Sequence, residues 1–94
     1  MVKKDELKVA MVTAVSEVLR VKKDRKDLSH EQMMRELEKF IHRTKNKNLR
    51  LMMIVAASKT LDTADKNPKL NDKEIMKMMV RDLDSLINNA KEVD

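Results

Sequence analysis

The chain contains no glycine. Glycine is the residue that enters left-handed backbone conformations at no steric cost. Every turn in this chain must therefore be closed at negative φ, or by Asn or Asp. That disfavours the tight two-residue hairpins on which β-sandwiches and barrels depend. It also removes whole classes of chemistry. Phosphate-cradling loops of the Walker or dinucleotide-binding type need backbone without a Cβ close to the ligand. The nucleophile elbow of the hydrolases needs glycine on both sides of its serine. Cysteine is absent too, which excludes disulfides, thiolate metal sites and cysteine nucleophiles. With one Phe and no Trp or Tyr, no base-stacking surface for single-stranded nucleic acid can be built. No cofactor, no metal set and no catalytic set is expected.

What remains is a short, charge-rich chain suited to helices around a lean core. It has 94 residues, 41% hydrophobic and 39% charged, a length that suits one domain. The longest apolar run, Leu51 to Ala57, is too short to span a bilayer. The opening Met1-Val2-Lys3-Lys4-Asp5-Glu6 leads into an amphipathic stretch rather than an apolar signal core. A cytoplasmic protein is expected, without membrane contact.

Periodicity predicts four helices. The first runs from about Lys4 to Val21, where Leu7, Met11, Ala14, Val18 and Val21 recur at 4-3-4-3 spacing. The second runs from about His30 to Arg43, with Met33, Met34, Leu37, Phe40 and Ile41 inward. The third runs from about Leu49 to Ala64. Its run Leu51 to Ala57 is apolar on all sides, so this helix is expected to be the most buried, central or on a homodimer face. The fourth runs from about Asp72 to Ala90, with Ile75, Met76, Met79, Val80, Leu83, Leu86, Ile87 and Ala90 inward.

Two helix starts carry the same signature. Ser29-His30-Glu31-Gln32 and Asn71-Asp72-Lys73-Glu74 both read as capping boxes, each preceded by a leucine that can act as a hydrophobic staple. The starts lie 42 residues apart. At that offset Leu7 pairs with Leu49, Met11 with Met53, Ala14 with Ala56, Leu19 with Leu61 and Leu28 with Leu70, among seven identities over the 35 pairs from 7/49 to 41/83. Chance at ordinary composition gives about two. The fold class expected is therefore all-α: a single antiparallel four-helix domain made of two helix-loop-helix hairpins, about 4–44 and 48–90, related by an internal duplication.

Three apparent sites fail on their own residues. The stretch Thr63 to Glu74 places oxygen ligands at positions 3, 5, 9 and 12 of a calcium loop, but it has Thr63 at position 1 and Pro68 where the loop needs glycine. His30-Glu31-Gln32-Met33-Met34 begins like a zinc-protease motif and has Met where the second His is required. Nine methionines suit copper(I) as ligands, but Met76 and Met79 sit on the apolar stripe. Methionine is also the adaptable filler of cores and binding grooves.

The net charge of +5 belongs to the first 50 residues. One basic cluster is Arg20, Lys22, Lys23, Arg25 and Lys26; the other is Arg43, Lys45, Lys47 and Arg50. Successive loops of an up-and-down bundle lie at opposite ends, so these are expected to be two patches. The favoured functional reading is a small non-enzymatic module that binds a protein partner, or a second copy of itself. Its apolar, Met-lined surface would include Met34, Met52, Met53 and Met78. The alternative is an accessory protein whose two basic clusters contact the phosphate backbone of nucleic acid without reading sequence.

Overall fold

A computed structural model describes residues 3–92, and side chains through Asn89. It contains helices α1 (Lys4–Asp24), α2 (His30–Ile41), α3 (Lys47–Lys66) and α4 (Asp72–Glu92). No strand occurs among the described residues. The chain is an all-α four-helix bundle, as periodicity predicts.

Helix order alternates in direction. Lys4 and Lys8, near the start of α1, both reach Asp84 in the second half of α4, each at 3.0 Å. His30 at the start of α2 pairs with Asp65 near the end of α3. The largest helix–helix contact joins α1 to α3. Both α2 and α4 pack against this central pair, and no contact between α2 and α4 occurs among the described residues. The bundle is thus a flattened rhombus with α1 and α3 on its short diagonal. Small side chains explain the close diagonal: Ala14, Ala56 and Ala57 are sealed in the core, beside Met11, Val15 and Val18.

The 42-residue offset holds in the backbone. α1 ends at Asp24 and α3 at Lys66; α2 starts at His30 and α4 at Asp72. The C-cap residues Arg25 (φ −132°, ψ 74°) and Asn67 (φ −131°, ψ 66°) share one conformation. Their amides donate to Val21 O and Thr63 O, and their carbonyls accept from Leu28 N and Leu70 N. Both capping boxes form. Ser29 Oγ accepts from Gln32 N at 3.2 Å while Gln32 Oε1 accepts from Ser29 N at 2.9 Å. Asn71 Oδ1 accepts from Glu74 N at 2.8 Å while Glu74 Oε1 accepts from Asn71 N at 3.2 Å. No described residue has a positive φ. The connections simply avoid the conformation for which glycine is needed.

Three details differ from the expectations. α3 begins at Lys47 because Asn46 caps it, its Oδ1 accepting from Asn48 N and Leu49 N. Its apolar run is not covered on all sides, for Leu51 is 54% and Ile54 39% exposed. Val80, expected inward, is 50% exposed, because its position falls on the outer face of α4. The expectation for Ala90 lies outside the described side chains.

Candidate functional site

An open groove of about 510 Å3 lies at the end of the bundle where α1 starts, α2 stops and α3 starts. Its apolar surface comes from Val9 and Ala10 of α1, Phe40 of α2, and Leu49 and Met53 of α3. Asp5 and Glu6 stand on the α1 wall and Arg43 on the opposite side. Thr44 Oγ1 donates to Met53 Sδ at 3.5 Å, which ties the turn after α2 to the floor.

Residues 42 positions apart differ where the groove opens. Ala10 leaves space between α1 and its neighbours. The residue 42 further on is Met52, only 5% exposed, which fills the corresponding space with a long flexible side chain. Likewise Phe40 on one wall is matched by Asp82. The phenylalanine is the chain's only Phe, Tyr or Trp, and it is half-buried.

The four methionines named from sequence do not form one surface. Met52 and Met53 (3% exposed) are core residues, so a groove lined mainly by Met34, Met52, Met53 and Met78 does not exist. The reason is geometric: both lie on the sides of α3 turned toward its helical neighbours, since α3 packs against all three other helices. Met53 alone reaches the groove, as its floor. Met34 is half-buried against the core. Met78 is half-buried in a separate furrow with Leu70, Glu74, Lys77 and Arg81.

The basic residues separate by end. Arg20, Lys22, Lys23, Arg25 and Lys26 lie at the end holding the first and third loops. Arg43, Lys45, Lys47 and Arg50 lie at the other end of a molecule 38 Å long. The arginines of the first group are locally neutralised: Arg20 binds Glu17 and Asp24, and Arg25 lies 3.5 Å from Glu36. The Glu17 carboxylate raises the Arg20 guanidinium above its usual value, chiefly through their hydrogen bond. The three lysines have no carboxylate partner among the described residues. In the second group Lys47 and Arg50 flank a shallow apolar patch formed with Ile41, His42, Leu51 and Ile54.

Sequence reasoning missed Val9, read Phe40 as an inward core position, and named Leu49 only as the start of the third helix and the partner of Leu7. A signal was present in Val9, an apolar residue off the 4-3-4-3 stripe of its helix. Among the described residues no group of three His, Cys, Asp or Glu could hold a metal ion, and no helix is long and apolar enough to cross a membrane. Compared with known protein families, curated proteins and solved structures, the chain matches none of them.

Proposed function

We propose that this chain is a non-enzymatic interaction module that docks an apolar segment of a protein partner in the groove between α1, α2 and α3. One observation carries the reading. Val9 is 66% exposed beside a half-buried Phe40, over a floor of buried Met53, so apolar surface is displayed above an apolar pocket. Such an arrangement suits helix-in-groove recognition, where one or two anchors enter the pocket. Asp5 and Glu6 facing Arg43 across the opening favour a partner with charges of both signs flanking its anchors. Met53 supplies an adaptable floor, which keeps part of the methionine reading in a narrower form. The matching loops and caps support descent of both hairpins from one unit, with the groove arising where Ala10 and Phe40 replace the filled arrangement of the other half.

The test is recovery of partners from the native cells with the unaltered chain, with Val9→Glu and with Val80→Glu. Both positions are at least half exposed, so the fold should survive either change. The proposal expects partners retained by the unaltered chain and by Val80→Glu, and lost with Val9→Glu. Equal recovery by all three overturns it. Solution mass against concentration identifies a second copy as the occupant if self-association disappears with Val9→Glu.

A further inference from the structure

The first and third loops build two helix junctions with one backbone plan and different electrostatics. In each, the end of a central helix faces the capped start of an outer helix. Where the end of α3 meets the start of α2, the sequence holds Ala64, Asp65 and Glu31, and His30 pairs with Asp65. Where α1 meets the start of α4, the positions related by 42 residues hold Lys22, Lys23 and Lys73, joined by Lys26 of the first loop. Those four lysines line an open cleft of about 830 Å3 over Leu70 and Ile75, with Asp72 the one carboxylate among them. None of the four has a salt-bridge partner among the described residues, although the neighbouring Arg20 and Arg25 both do. Since the related junction is bridged by a His–Asp pair on the same backbone, the fold itself does not require four unpaired ammonium groups here. Converging like charges oppose one another unless an anion joins them.

We infer that the cleft between the end of α1 and the start of α4 binds a compact anion carrying two or more linked phosphates. Lysine ammonium groups act as point charges suited to phosphate oxygens from many directions. Four of them on two walls exceed what a single phosphate can engage, whereas a linked pair or triplet spans both walls. A nucleic-acid duplex fits less well. It requires charge spread along a face, and the second basic cluster lies at the far end of the 38 Å molecule. The site is distinct from the apolar groove, which opens at that same far end, so either can stand without the other.

The deciding experiment is calorimetric titration of the full chain with sodium tripolyphosphate, with ATP free of magnesium and with a short DNA duplex, at low salt. Tripolyphosphate should saturate near one per chain and raise the thermal midpoint. The Lys26→Gln/Lys73→Gln variant should bind at least roughly tenfold more weakly. The control Lys45→Gln/Lys47→Gln, altered at the opposite end, should bind like the unaltered chain. ATP binding at least as tight as tripolyphosphate identifies nucleotides as the source of the phosphates; weaker ATP binding identifies free polyphosphate. Absence of saturation, equal weakening by both double variants, or tighter binding to the duplex than to tripolyphosphate overturns the inference.

Discussion

Residues 21–33 and 63–75 take the same path, with matching caps, matching amide hydrogen bonds and nearly identical C-cap dihedrals. Their core neighbours match as well: Leu37 and Met79 are each 1% exposed at related positions, as are the buried Ile41 and Leu83. The hairpins diverge at some buried positions, such as Val18 against Thr60, and most visibly at the groove and the loop junctions. Ala10 is answered by Met52, Phe40 by Asp82, Lys23 by Asp65 and Lys73 by Glu31. Packing and capping repeat because each hairpin must bury one apolar face against the same central diagonal and must satisfy the same orphan amides. Surface residues are released from that requirement. The apolar groove and the lysine cleft both sit where the halves differ.

The strongest way to break this equivalence is to cut into the core on both sides. Leu37→Ala and Met79→Ala should each cost about 2–5 kcal/mol, against about 5–14 kcal/mol for a whole domain of this size. Urea unfolding of the two variants measures both. Equal losses support equivalent roles for α2 and α4. A loss for one less than half that for the other would show that the outer helices do not share the load.

That symmetry of the frame was readable before any coordinates. Spacing of Leu7, Met11, Ala14 and Val18 located α1, and the capping sequences at Ser29 and Asn71 located the starts of α2 and α4 to the residue. These signals are local, arising from the geometry of a single helix and its first turn. The sites were far less legible. Whether Met53 or Phe40 is sealed depends on how the neighbouring helices cross, which no one helix encodes. The lysine cleft needed the start of α4 beside the end of α1, a contact between residues some 50 positions apart. The cap at Asn46 was present in the sequence, but without a Glu or Gln three residues on it lacks the box signature, and α3 starts earlier than periodicity indicates.

A smaller effect sharpens the comparison at the helix starts. Ser29→Ala and Asn71→Ala should each cost about 1 kcal/mol, since each removes one acceptor for a first-turn amide. Asn46→Ala should cost a similar amount, because its Oδ1 serves Asn48 N at 2.9 Å and Leu49 N at 3.1 Å. Thermal unfolding of the three variants tests whether the caps are interchangeable. A negligible loss at Asn71 beside a full loss at Ser29 would show that the second box is redundant with packing by Leu70.

The smallest effect concerns a seam where the halves are tied differently. Asp84 on α4 bridges to Lys4 and Lys8 of α1 at 3.0 Å each; the related residue of the other half is His42, and Arg50 stands where Lys8 does. One seam therefore joins opposite charges, while the other places a histidine near an arginine. Hydrogen bonds from Lys4 and then Lys8 hold the Asp84 carboxyl below its ordinary value of 3.8. A lowered native value means the folded state favours the ionised form. The stabilisation is complete above pH 3.8 and disappears as pH falls through the native value. Because the groups are exposed, the gain at neutral pH is small and salt-sensitive. Comparing Asp84→Asn with the unaltered chain by urea unfolding across the acid range should show a small constant gap at neutral pH that closes with acidification. A gap that persists at the most acidic point would mean that Asp84 acts through packing between α1 and α4, and that the charge difference between the seams carries no stability.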